Sequence, residues 1–253
     1  MKNKNIDYII EGLIDRQVSG KKSKMPARLD FFQSLSGLVL ALFMWVHMAL
    51  VSSILISEEF MYKVTKLLEG SWLIDGGHPA FVSVAVAVIF SIFVAHAFLA
   101  IRKFPNSYRQ YRNFKAHMLM YSHDETKLWF VQAITGFALF FLGSVHLYIM
   151  LTNPGDIGPY ASSYRVVEQW MWPLYLGLLI AVELHGTIGL YKLVVKWGWF
   201  DNKTAKQTRA RLKKIKWAIT LFFLILGILS LLAYVKIGLQ HHDGPYMPTQ
   251  ETT

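Results

Sequence analysis

The sequence predicts an all-α membrane protein with five transmembrane helices, the first four forming an up-down bundle. Three observations predict it. The 253 residues are 54% hydrophobic and 15% aromatic, and they fall into apolar stretches that reach the roughly 20 residues a bilayer core requires. Lysine and arginine are concentrated in every second connection. Four of the apolar stretches each carry one histidine, His47, His96, His146 and His185, at spacings of 49, 50 and 39 residues, close to one crossing plus a loop.

In chain order, residues 1–28 read as a polar, basic arm with an amphipathic stretch (Tyr8, Ile9, Ile10, Leu13, Ile14) suited to a membrane surface or a partner. The arm contains acids and lacks an apolar signal core with a cleavage site, so it is expected to be mature protein. Span I covers 29–56 and ends at Ser57-Glu58-Glu59. The connection to Pro79 holds Glu69, Trp72 and Asp75, with a short interfacial helix expected over 60–68. Span II, 79–101, stops at Arg102-Lys103-Phe104-Pro105, and a basic inner loop leads to span III, 127–151. Outer loop 152–167 is rich in turn residues and contains Arg165. Span IV, 168–196, enters through Trp170 and Trp172 and leaves through Trp197 and Trp199, as an aromatic belt does. Span V, 217–237, has no histidine or acid and reads as scaffold, followed by a tail over 239–253. The transmembrane domain is thus expected over 29–238.

Charge orients the chain. Seven basic residues precede span I, six lie between spans II and III, and nine run from Lys192 to Lys216; elsewhere only Lys63, Lys66, Arg165 and Lys236 occur. The positive-inside rule puts the N-terminus in the cytoplasm and, after five spans, the C-terminus in the periplasm. The net charge of +10 is explained by this topology, so nucleic acid is excluded as the reason for it, while a soluble subunit can dock on the basic face. With no cysteine there is no disulfide, no thiolate-held iron–sulfur cluster on this chain and no covalent haem attachment.

A single histidine in a bilayer is as well explained by a helix–helix hydrogen bond as by a ligand. Four, one per consecutive helix, point to bis-histidine ligation of two b-type haems. Depth pairs them. At 1.5 Å per residue His47 lies about 24 Å above Phe31 and His146 about 25 Å above Trp129, both towards the outer face. His96 lies about 22 Å in from Phe81 and His185 about 22 Å in from Trp170, both towards the inner face. In an up-down bundle the parallel helices are diagonal, so each pair reaches across the axis. Gly143 and Gly189 lie within four residues of His146 and His185 and offer room for a flat macrocycle. The remaining histidines, His78, His117, His123, His241 and His242, fall in loops or at span ends. Glu183 is the only acid deep in a span; beside a proton-relay role stands the alternative of a protonated acid bonded to a neighbouring helix. Two haems at different depths carry electrons across a membrane. No flavin or cluster motif is present, so donor or acceptor must be on other subunits.

The stretches MPARLDFFQS, FMWVHM, VAHAFLAIRKFPNSYRQY, GSVHLYIMLTNPGDIGP, QWMWPLYLGLLIAVELHGTIGLYKLVVKWGWFD and RLKKIKWA closely resemble the cytochrome b subunits of the dihaem menaquinol:fumarate reductases. The resemblance runs from about Met25 to Gly238. It implies that His96 and His185 hold a proximal haem and His47 and His146 a distal one. It implies that Gln33, Ser34, Trp129 and Lys196 contact the proximal propionates, and that Arg165 lies near a distal one. Glu69 matches the acid of menaquinol oxidation, within flanking sequence (LLEGSW) that matches less well than the helices, and Glu183 a proton relay. The implied partners are an iron–sulfur subunit and a FAD-containing flavoprotein that reduces fumarate, in a dimer of heterotrimers at a bacterial inner membrane. Four alternatives stand beside it: a succinate:quinone reductase anchor working in reverse, the dihaem anchor of another respiratory enzyme such as a hydrogenase or formate dehydrogenase, a haemless transporter using the buried histidines and Glu183 as a proton relay, and a purely structural anchor, which would have no need of four intramembrane imidazoles.

Overall fold

The computed structural model describes residues 24–105, 107–120, 124–200 and 204–240, without the side chains of 114, 117–120 and 124. The amphipathic stretch near Tyr8, the side chains of His117 and His123, and His241, His242 and the C-terminal tail lie outside the described residues.

Eight α-helices and one 3-10 turn occur among the described residues: α1 (Met25–Val51), the turn Ser52–Leu55, α2 (Glu58–Leu68), α3 (Ala80–Ile101), α4 (Tyr108–Met120), α5 (Asp124–Thr152), α6 (Pro159–Val167), α7 (Trp172–Lys196) and α8 (Ala205–Gln240). Five of them, α1 with its 3-10 extension, α3, α5, α7 and α8, are long and apolar enough to cross a membrane. The fold is all-α and multi-pass, as the apolar stretches predict.

Helix α1 packs beside α3, α3 beside α5, α5 beside α7, and α7 closes back on α1. This square makes α1 and α5 one diagonal and α3 and α7 the other. Helix α8 lies outside it, against α7 and α6 and touching α1. Small residues let it approach: a Cβ on Gly227 would sit 2.5 Å from Leu179 Cδ1, and one on Gly238 2.7 Å from the Ser163 carbonyl. Interhelical hydrogen bonds add to this, from Ser230 to Ser52 (2.9 Å), between Thr187 and Thr220 (2.7 Å) and from Tyr234 to the Val51 carbonyl (3.2 Å). Such bonds average about 0.6 kcal/mol each in membranes, so the small-residue packing matters at least as much.

Several boundaries differ from the sequence-based expectation, for local reasons. α1 starts at Met25, inside the expected arm, because Pro26 in its first turn is preorganised for a helix start. The interfacial helix α2 begins at Glu58: Ser57 caps it by accepting the Phe60 N–H at 3.0 Å, with two acids in the first turn and Lys66 in the last. The expected inner and outer loops contain α4 and α6. Span IV begins at Trp172, not at 168, because Trp170 adopts a left-handed φ of 54° that breaks the helix. Span V begins earlier, at Ala205, since Ala205–Lys216 is rich in strong helix formers with no glycine or proline. At the end of the bundle that the charge pattern assigns to the outside, the turn, α2, α6 and α8 meet in a small core of Ile54, Met61, Val166, Tyr234 and Ile237.

Candidate functional site

The square of helices encloses a cavity of about 900 Å³, lined by all four intramembrane histidines; this is at the upper end of the range of about 300–1,000 Å³ for small-molecule and cofactor sites. The imidazoles meet in diagonal pairs. His47 of α1 and His146 of α5 have ring centroids 6.1 Å apart, and His96 of α3 and His185 of α7 have theirs 6.4 Å apart. Two metal–nitrogen bonds of about 2 Å, plus about 1 Å from each nitrogen to its ring centre, place centroids about 6 Å apart across one ion. Both pairs therefore have the spacing that two imidazoles sharing one metal ion would need.

Hydrogen bonds fix how the inner pair presents itself. His185 Nδ1 lies 2.8 Å from the Gln132 carbonyl, which can only accept. Nδ1 thus carries the proton and Nε2 keeps its lone pair, the usual tautomer of a metal-binding histidine. The Ser36 hydroxyl donates to the Gln33 carbonyl at 3.1 Å and lies 3.0 Å from His96 Nδ1. With its hydrogen so used, Ser36 accepts from His96, and again Nε2 is left free. The glycines that permit this are Gly37 and Gly136. A Cβ at Gly37 would fall 2.9 Å from His96 Cε1, and one at Gly136 2.8 Å from His185 Cε1. Gly143 and Gly189, prominent in sequence beside the histidines, instead face Phe93 and Gln132. In the outer pair, His146 stands edge-on to Tyr175 with centroids 5.7 Å apart, and Phe43 stacks on His47 at 5.6 Å.

The other predicted residues distribute along the cavity. Gln33, Ser34, Trp129 and Lys196 line its inner end and Arg165 its outer end. Lys196 is held at 3.3 Å by both Asp30 and Ser34, and Asp30 also binds Arg102 at 2.7 Å and Lys103 at 2.9 Å. This ion cluster ties the inner ends of α1, α3 and α7. Arg165, 5% exposed, donates to the Asp156 carbonyl at 2.6 Å.

Glu183 also lines the cavity and is 2% exposed. The bonded-acid alternative is not what is found: neither carboxylate oxygen has a hydrogen-bond partner among the described residues. Sequence reasoning turned it away from the His185 face, yet one cavity wall includes both. Glu69 does not line the cavity. It caps α2, is 3% exposed, and binds Lys66 at 2.7 Å, so it is no water-facing loop acid. That hydrogen bond to Glu69 is the main cause raising the Lys66 ammonium above its ordinary pKa. His78 sits at the surface, where its Nδ1 accepts the Ala80 N–H at 3.2 Å.

Ser36, Gly37, the Gln132 carbonyl, Gly136 and Lys192 escaped the sequence reading. Lys192 lines the cavity near Lys196, and its Nζ is buried without a hydrogen-bond partner among the described residues, as are Gln33 Oε1 and His146 Nδ1.

The family model for the succinate dehydrogenase/fumarate reductase transmembrane subunit matches residues 108–241, just over half of the chain. Among curated proteins, the fumarate reductase cytochrome b subunit of Wolinella succinogenes is 57% identical over 223 residues, 88% of this chain and 87% of the relative. The subunits of the same name from Helicobacter pylori strains J99 and 26695 are 56% and 55% identical over 245 residues, each spanning 97% of this chain and 94% of the relative. The chain therefore belongs to the fumarate reductase cytochrome b subunit family.

Proposed function

We propose that this chain is the dihaem anchor of a quinol:fumarate reductase, with His47 and His146 holding an outer haem and His96 and His185 an inner one. The observation that carries the reading is the pair of imidazole couples, 6.1 and 6.4 Å between centroids, on opposite diagonals of one bundle. The residues present suit the group: free Nε2 atoms in the inner pair, glycines where the rings press on neighbouring helices, and a cation with hydroxyl and amide groups at the inner mouth. When bound, the two haems supply one-electron transfer along the bundle axis. Around them the protein excludes water with apolar walls and fixes the inner imidazoles through Gln132 and Ser36. Gln33, Ser34, Trp129 and Lys196 would hold the inner propionates, and Arg165 an outer one.

Menaquinol is oxidised at the outer, periplasmic side near Glu69. Loss of two electrons obliges the hydroquinone to lose two protons, and a carboxylate within hydrogen-bond reach is a suitable first acceptor. Electrons leave on the cytoplasmic side to an iron–sulfur subunit and a FAD-containing flavoprotein that reduces fumarate. These partners dock on the basic inner face formed by the α3–α5 connection and the start of α8, in a dimer of heterotrimers at a bacterial inner membrane, with the N-terminus cytoplasmic and the C-terminus periplasmic. The chain's three parts are an N-terminal arm, a transmembrane domain whose first helix begins at Met25 and whose last ends at Gln240, and a C-terminal tail. The matched family includes succinate dehydrogenases, so the reverse direction is the second reading; the ratio of fumarate reduction to succinate oxidation with native quinone discriminates them.

The purified complex tests the site. Glu69→Gln is expected to abolish quinol-driven fumarate reduction while both haems stay bound and succinate oxidation by an artificial acceptor continues; unchanged quinol turnover removes Glu69 from the mechanism. Gly136→Val tests the cradle. With a Cβ 2.8 Å from His185 Cε1, and that ring pinned to Gln132, the variant is expected to lose the inner haem selectively, read as a halved b-haem absorbance. Full retention contradicts the inner assignment.

A further inference from the structure

We infer that Lys192 is a buried cation that meets a carboxylate of the inner haem and raises that haem's reduction potential. The inference rests on the dihaem reading and concerns a residue to which the resemblance assigns no role.

Position comes first. Lys192 follows His185 by seven residues on α7, about 20° short of two full turns, so it lies on the same helix face about 10 Å nearer the inner end. It lines the cavity with Gln33, Ser34 and Lys196. The second observation is its isolation: Nζ is buried and has no hydrogen-bond partner among the described residues. An ammonium withdrawn from water needs an anion or several acceptors close by.

The anions nearby are otherwise engaged. Glu125, the acid that bears electrostatically on Lys192, has its Oε1 taken by the Tyr191 hydroxyl at 2.7 Å and Lys213 Nζ at 3.0 Å. Asp30 is shared among Arg102, Lys103 and Lys196. Lys196, with its side chain 41% exposed, works at the mouth of the cavity, whereas Lys192 sits one turn deeper. Gln33, on the same stretch of cavity wall, carries an amide N–H that can donate to the same carboxylate, while its Oε1 is an acceptor that a carboxylate does not satisfy. A carboxylate on the edge of a ligand centred between His96 and His185 would accept from the Lys192 ammonium and supply the missing anion.

The electrostatic consequence has a definite sign. A fixed positive charge near a redox centre favours the form with one more electron, and the water-poor surroundings leave that interaction poorly screened. Lys192 therefore holds the inner centre at a higher potential than its axial ligands alone would set, easing electron flow from the outer centre.

The experiment is a potentiometric titration of the whole membrane complex, followed in the visible b-haem bands, with the outer haem as internal reference. In Lys192→Met the inner midpoint is expected to fall so that the reduced-to-oxidised ratio at fixed potential drops at least tenfold, 59 mV for one electron. The outer midpoint should stay put, and Lys192→Arg should restore the inner one. Should Lys192→Met fail to retain the inner haem, retention with a wild-type midpoint in Lys192→Arg still supports the inference. An unchanged inner midpoint in Lys192→Met, equal movement of both midpoints, or loss of the inner haem in both variants overturns it. Absence of two b haems in the wild-type complex would instead refute the dihaem reading, so the two failures are distinguishable.

Discussion

Alanine at His96 or His185 is expected to remove the inner haem and leave the outer one, and alanine at His47 or His146 to do the reverse. Each variant should show half the b-haem absorbance of the parent, and quinol-driven fumarate reduction should fall to background in all four. The expectation follows from the two diagonals. Each couple draws one imidazole from each of two helices that do not pack directly on one another, so no neighbouring side chain can readily replace a lost ligand. The couples also differ in their support. His185 is oriented by the Gln132 carbonyl at 2.8 Å and His96 by Ser36 at 3.0 Å, whereas His146 Nδ1 has no partner among the described residues. Ser36→Ala should therefore broaden the inner haem's spectrum without removing it. Variants that all keep both haems would show that these histidines are not the ligands.

Glu183→Gln is expected to keep both haems and yet stop quinol-coupled turnover, while the soluble half-reaction with an artificial donor survives. An acid in the apolar layer is costly and generally functional, and Glu183, 2% exposed, has no partner for either oxygen. A purely structural acid would be expected to bond to a neighbouring helix. The energetic argument concerns charge. Electrons moving inward from a quinol oxidised outside run against a potential that is negative inside, at about 2.3 kcal/mol per electron per 100 mV. A proton moving inward with each electron would cancel that charge movement, and Glu183 lines the cavity wall where the proposed relay needs an acid to hold it. Glutamine preserves size and polarity but cannot give up a proton in this way. Full quinol activity in Glu183→Gln would eliminate the relay, and measurement of proton uptake across sealed vesicles would show which side it serves.

The spans were legible because each needs only length and apolarity, and the alternation of basic connections orders them without any knowledge of packing. Depth along the chain likewise put His47 level with His146 and His96 level with His185, since rise per residue is nearly constant in a helix. What depends on helix rotation was not legible. Gly143 and Gly189 stand near histidines in sequence, but close approach happens at Gly37 and Gly136, on helices that carry no member of the inner pair. Nothing in the order of residues reveals which face of α1 or α5 turns towards the diagonal. The face of Glu183 and the isolation of Lys192 are hidden for the same reason. The burial of Glu69 depends on α2 folding down over the bundle, which its amphipathic pattern allows but does not aim. Helices α4 and α6 were missed because short polar stretches carry too few apolar positions to display a helical period.

The central claim is two bis-imidazole haems at two depths in one bundle. Haem extraction and quantification on the purified complex, combined with a redox-titrated low-temperature visible spectrum, tests it most directly. The account predicts two b haems per chain, both low-spin and six-coordinate, titrating with two separate midpoints. One haem per chain, or a high-spin five-coordinate spectrum for either, would contradict it.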